Sequence, residues 1–169
     1  FLDWLSGERA QENTPVLASE PSAGDIEQAL SAVETLTSSA QCPTLVKARV
    51  RHIIATLRQT LPRLGSLGLG SFDAYSVIAT ATNYLPEAIN SYLRLPSDWA
   101  NTRPIVGNKT SLMLLVEQLD LLDRTTTAIF DAANAADAQA LIVHGKFLAT
   151  KFAHSNNPLA PDSGFGSQR

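Results

Sequence analysis

Cysteine, charge and long apolar runs are all scarce in these 169 residues. A single cysteine, Cys42, excludes an internal disulfide and a cysteine-rich zinc site, and fits a reducing compartment such as the cytoplasm. Charged residues make up 17% of the chain and the net charge is −3, which gives no general case for nucleic acid. No apolar run approaches the roughly 18 residues of a membrane span, and no signal-peptide pattern opens the chain. The first residue is Phe1 and not Met, so an anchor or leader upstream stays open. Membrane association is expected only through such a segment.

Catalytic and metal signatures are missing as well. A di-iron bundle needs Glu-x-x-His pairs on facing helices, and none is present. His52, His144 and His154 do not fall at the three- or four-residue spacings of helical ligands. There is no Gly-x-Ser-x-Gly elbow and no strand to mount one. Gly107-Asn108-Lys109-Thr110-Ser111 is similar to the end of a phosphate-binding loop, but Asn108 separates the glycine from the lysine and the upstream glycine is absent. The reading leans away from an enzyme. It assigns no catalytic residue, no cofactor and no metal.

What is present is helical spacing, with no sheet-period alternation anywhere. Ser22 and Asp25 form a capping box before a stripe of Ile26, Leu30 and Val33. Pro43 opens a second helix with Val46, Val50, Ile53, Ile54, Leu57 and Leu61 on one face, and Leu61-Pro62 is expected to stop it. A glycine-rich loop, 65–71, follows, with Ser71 able to cap a helix at Phe72.

In Phe72–Pro96 the residues Tyr75, Ile78, Thr82, Leu85, Ile89 and Leu93 share one helical face in unbroken phase through Pro86. Either one helix kinked near Asn83 or two short helices meet there. The unbroken phase favours the kink, with Tyr75, Leu85, Ile89 and Leu93 as core and Tyr84 off the stripe. The carbonyl of Thr82 is then expected to lose its usual partner. A loop of about a dozen residues containing Trp99, Arg103, Pro104 and Gly107 leads to a helix running from Asn108 to about Ala133.

The last stripe, Ala138, Leu141, Ile142, Gly145, Leu148, Ala149 and Phe152, is about 100° out of phase with the one before it, at 3.6 residues per turn. That argues for a break near Asn134, capped by Asn134 and Asp137, with Gly145 on the core side letting two helices approach. The alternative is one helix of roughly 66 Å. The expectation is an all-α bundle of about five helices over 22–153, after an N-terminal segment and linker (1–21, including a short helix at Phe1–Leu5) and before a disordered tail (154–169).

Candidate contacts fall in two groups. Val143 and Phe147 lie opposite the last stripe, and Tyr84 lies off its own, all apolar surface suited to a partner or a second copy. Residues 43–70 carry five Lys/Arg and no acid, while 1–42 carry seven acids and Arg9. Lys47, Arg51 and Arg58, with Arg49 on the other flank, are expected to pair internally with acidic helices rather than with an external polyanion, Glu117, Asp120 and Asp131 being at hand. Arg103, Lys109 and the basic flank are the residues an anionic ligand would use. Asp120 and Asp123, one turn apart, are edge or salt-bridged carboxylates. Cys42 is a small buried hydrophobe and His52 a solvated residue.

Tyr84-Leu85-Pro86, followed by Ile89, Tyr92 and Leu93, resembles the step into a helix in the 5-bromo-4-chloroindolyl phosphate hydrolysis family and its toxic-anion-resistance relatives. The resemblance implies a small bacterial helical protein. The family's name implies phosphate-ester chemistry, but no catalytic residue carries over to a position in this chain. The expected function is a non-enzymatic interaction or scaffolding domain that self-associates through Val143 and Phe147. The alternatives are an envelope- or membrane-associated domain anchored upstream of Phe1, and an enzyme or binder for a phosphorylated or anionic small molecule.

Overall fold

The structure, a computed structural model, describes residues 20–68 and 70–153. The expected N-terminal helix, most of the linker, His154 and the expected disordered tail lie outside the described residues. Five helices of eight or more residues make up the described chain: α1 (Ala23–Thr37), α2 (Thr44–Thr60), α4 (Phe72–Ala79), α5 (Leu85–Leu93) and α7 (Ser111–Ala153). Two shorter ones, α3 (Leu64–Leu67) and α6 (Ser97–Thr102), fill connections. The fold is all-α.

The capping box at α1 forms as its sequence dictates. Ser22 Oγ accepts from the backbone of Asp25, and the Asp25 carboxylate accepts from the Ser22 backbone at 2.9 Å. The Ser22 hydroxyl also donates to that carboxylate, and the side-chain and then the backbone bond from Ser22 hold the Asp25 carboxyl below its usual range. Ile26, Leu30 and Val33 then bury against α2 and α5. On α2 the stripe Val46, Val50, Ile53, Ile54 and Leu57 is almost wholly excluded from water. α2 is the hub, packed on α1 and across the first half of α7. Each such side chain contributes about 1.5–3 kcal/mol by leaving water.

Leu61-Pro62 does not end the helical path. It tightens it into a 3₁₀ turn, Leu61–Arg63, that runs on into α3. Gly68 and Gly70 then turn the chain with φ of 87° and 89°, which side-chain-bearing residues avoid. Ser71 caps α4 by accepting from Ala74 N at 3.1 Å.

The segment before Pro86 is resolved differently from a simple kink. Thr80–Tyr84 is a π-helical turn joining α4 to α5, and Leu85 N donates to Thr80 O, five residues back. Such a turn inserts one residue into the α-helical ladder. The insertion explains why half of the expected face is wrong. After the wide turn Leu85 and Ile89 are buried as expected. Before it, the buried face is Ala74, Val77 and Ala81, each one residue earlier than the face projected back from Leu85. Tyr75 is therefore 61% exposed and not core, while Tyr92 is buried and donates to Asn101 Oδ1 at 2.6 Å. Leu93 is half-buried.

The expected dozen-residue loop contains α6 and a small antiparallel hairpin, β1 (Pro104–Val106) with β2 (Lys109–Thr110), turned at Gly107 with φ 58°. A hairpin this short leaves no alternating pattern to read. α7 begins at Ser111, with Thr110 Oγ1 accepting from Met113 N at 3.3 Å.

The largest correction concerns 111–153. The break near Asn134 does not exist: α7 is one helix of 43 residues, about 65 Å long. Neither Pro nor Gly occurs between Ser111 and His144, and six alanines between 132 and 140 favour helix. The bundle half of α7 supplies the nucleus, so propagation beyond it carries no nucleation cost. Buried positions, among them Leu115, Leu119, Thr126, Ile129 and Ala133, stop at Ala133. Every residue from Ala135 to Ala153 is exposed. The phase jump marks where α7 leaves the bundle. It does not mark a turn.

Candidate interaction surfaces

The bundle's last hold on α7 is local and polar. Arg63 lies over the Phe130 ring at 5.5 Å, and Asp137 accepts from Ser66 Oγ at 2.5 Å with Arg63 Nε 4.0 Å from its other oxygen. Asp137 therefore ties the helix to α3 instead of capping a new one. Beyond it residues 138–153 project as an arm of about 24 Å.

The arm is apolar on two sides. The stripe expected to be core is open to solvent: Leu141 is 72% exposed, Ile142 49% and Phe152 61%. Gly145 has no heavy atom within 4 Å of where a Cβ would stand, so within this chain it permits no close helix approach. On the other side Val143 and Phe147 are exposed as well, with Lys151 over the Phe147 ring at 5.7 Å and His144 stacked beside it at 6.3 Å. Solvated helices ordinarily keep one polar face. An apolar patch of this extent makes the arm the candidate contact surface.

The basic flank, by contrast, is largely engaged. Arg58 reaches across to α1 and binds Glu27 through Nη2 at 2.6 Å and Glu34 through Nη1 at 2.7 Å. The guanidinium holds both carboxyls below the usual glutamate range, and they in turn push Arg58 higher. Arg49 binds Asp120 at 2.6 Å and His52 Nδ1 lies 2.6 Å from Asp123, so α2 and α7 also pair, as the charge pattern suggested. His52, exposed, is thus a partnered residue and not merely a solvated one. Lys47 and Arg51 line a hollow of about 250 Å³ that they share with Glu34. Lys109 pairs with Glu117 on α7 at 2.6 Å. Arg103 is exposed at the start of the hairpin. An anion approaching this flank must compete with carboxylates already in place.

Two other features were unreadable from the sequence. An apolar groove of about 900 Å³ runs along α4, walled by Phe72, Tyr75 and Ile78. Among the described residues no lysine or arginine lines it. Tyr84, 46% exposed, sits over a second hollow of about 380 Å³ whose polar lining among the described residues is Glu87, Ser91 and Gln118, with no cation to hold a phosphate. Tyr75 beside Tyr84 raises the Tyr84 phenol pKa, chiefly by charge repulsion and then by hydrogen bonding. Tyr75 became visible only once the π turn rotated it out of the core.

Cys42 is buried, and burial pushes its thiol pKa up, outweighing the positive charge of Lys47, which pulls it down. Among the described residues no group of three or more His, Cys, Asp or Glu converges on one point, and no helix is long and apolar enough to cross a membrane. Ser111 Oγ is buried without a hydrogen-bond partner in the described residues.

The chain matches no family model, no curated protein and no solved structure.

Proposed function

We propose that this chain is a non-enzymatic helical interaction module whose docking element is the α7 arm, and that it self-associates through that arm. One observation carries the reading. The arm keeps Leu141, Ile142, Val143, Phe147 and Phe152 between 49% and 72% exposed while the bundle beneath it is complete without them. Exposing that much apolar side chain on a projecting helix costs solubility and adds nothing to the bundle, so it is explained by a second surface that covers it.

The test is static light scattering over a wide concentration range. The wild type is expected to rise in mean mass with concentration. A variant with Leu141→Asp and Phe147→Asp, one charge on each apolar side, is expected to stay monomeric with an unchanged melting temperature. A wild type that remains strictly monomeric at high concentration contradicts self-association.

A further inference from the structure

The arm's stripe has an internal symmetry that names its partner. Counting outward from Gly145, the apolar positions fall three, four and seven residues away on both sides: Ile142 and Leu148, Leu141 and Ala149, Ala138 and Phe152. The pattern reads the same in both directions. It occupies about 120° of the helix at 3.6 residues per turn and about 21 Å of its length.

We infer, building on the reading of the arm as a docking element, that the stripe is covered by the same stripe of a second copy, antiparallel, about a two-fold axis at Gly145. A two-fold contact is isologous, so each position meets its mirror position. Two of the mirror pairs set a large side chain against a small one, Phe152 against Ala138 and Leu141 against Ala149, and the third sets Ile142 against Leu148. Gly145 meets itself on the axis, where the absence of a side chain allows the helices to approach at the short end of the 8–10 Å interaxial range.

Charge on one flank agrees with the antiparallel sense. Asp137 stands near one end of that flank and Lys151 near the other, with His144 between. Antiparallel packing brings each Asp137 within about 3 Å, along the axis, of the second copy's Lys151, whereas parallel packing turns this flank toward the other one, whose one charge, Lys146, stands about 14 Å along the axis from Asp137. Lys146 on the other flank faces its own counterpart, which keeps the pair weak. Steric clearance follows from the fold: buried positions on α7 end at Ala133, so the two bundles sit at opposite ends of the paired arms. At about 15 residues a side the contact is smaller than the 20–30 typical of stable interfaces, which places its dissociation constant in the micromolar range or above.

Mixed cross-linking tests the register. Chains carrying Leu141→Cys and chains carrying Ala149→Cys, with Cys42 left buried, are combined and oxidised. The expected product is the mixed dimer, well above the statistical two-to-one-to-one share. Statistical proportions, homodimers in excess, or no cross-link at all overturns the antiparallel pair. Gly145→Leu provides the second arm of the test. Leucine is the better helix former, so the arm stays folded, yet dimerisation is expected to weaken about tenfold or more. Association unchanged or strengthened by Gly145→Leu overturns the close crossing. Phe147→Asp alone lies on the far side of the arm and is expected to leave the dimer intact. If the wild type associates but Phe147→Asp abolishes association, the stripe pairing is wrong and the arm reading stands. If the wild type never associates, both fall.

Discussion

Leu119→Ala is expected to lower the unfolding free energy by about 3 kcal/mol, and Leu141→Ala by less than about 0.5 kcal/mol, although both leucines lie on α7. Leu119 is fully excluded from water between α7 and the bundle. Its truncation removes transfer free energy and leaves a cavity that the surrounding core cannot wholly fill. Leu141 is 72% exposed, so its truncation in the monomer removes almost no buried surface. Urea unfolding at a protein concentration below the association range measures both. Comparable losses for the two variants mean that residues 138–153 pack within the monomer, which contradicts the arm.

Ala140→Pro is expected to remove most of the arm's helix while leaving the bundle's thermal midpoint where it is. Proline in a helix interior removes a hydrogen bond and clashes with the preceding turn, at about 3 kcal/mol or more. Position 140 is exposed, and the turn its ring disrupts, 136–139, buries nothing and meets the bundle through the surface tie of Asp137 to α3, so nearly all of the penalty falls on the arm. The segment left beyond it is about a dozen residues, too short to hold helix by itself in water. Circular dichroism should report the lost helix, and the same variant should lose self-association. A lowered midpoint shows that the arm supports the bundle, which this account denies.

Most of the bundle was legible in the sequence because its signals are local. Ser22 with Asp25, Ser71 before Phe72, and the stripes of α1 and α2 each state their outcome within one or two turns. The helix class, the count of about five and the places of α1 and α2 followed, although α4 and α5 stand where one kinked helix was expected and α7 where two were. Two features were not legible. The π turn at Thr80–Tyr84 changes phase by one residue, and both phases place Leu85 and Ile89 inside, so spacing alone could not reject the face through Tyr75. The arm misled in the opposite direction. Its stripe has the periodicity of a core face, and periodicity records that a face is apolar without recording what covers it. The jump of about 100° near Asn134 was a true signal of changed surroundings, and a turn was the wrong cause to attach to it.

The proposed interaction surface was half legible. Val143 and Phe147 were recognised as surplus apolar residues, whereas Leu141, Ile142, Leu148 and Phe152 were consigned to the core. Internal pairing was legible for part of the basic flank, because residues 1–42 carry seven acids and residues 43–70 carry five bases and no acid. Arg58 between Glu27 and Glu34, and Arg49 on Asp120, fulfil that expectation.

The arm exists only if α7 is one unbroken helix that leaves the bundle near Ala133. A spin-label distance between Leu121→Cys and Thr150→Cys, measured with labelled chains diluted in unlabelled ones, tests this most directly. Both positions are exposed, and one continuous helix separates them by about 44 Å. A narrow distribution near that value is the predicted result. A distance of about 31 Å or less, the separation left by a right-angled or tighter turn at Asn134, contradicts the arm and everything proposed for it.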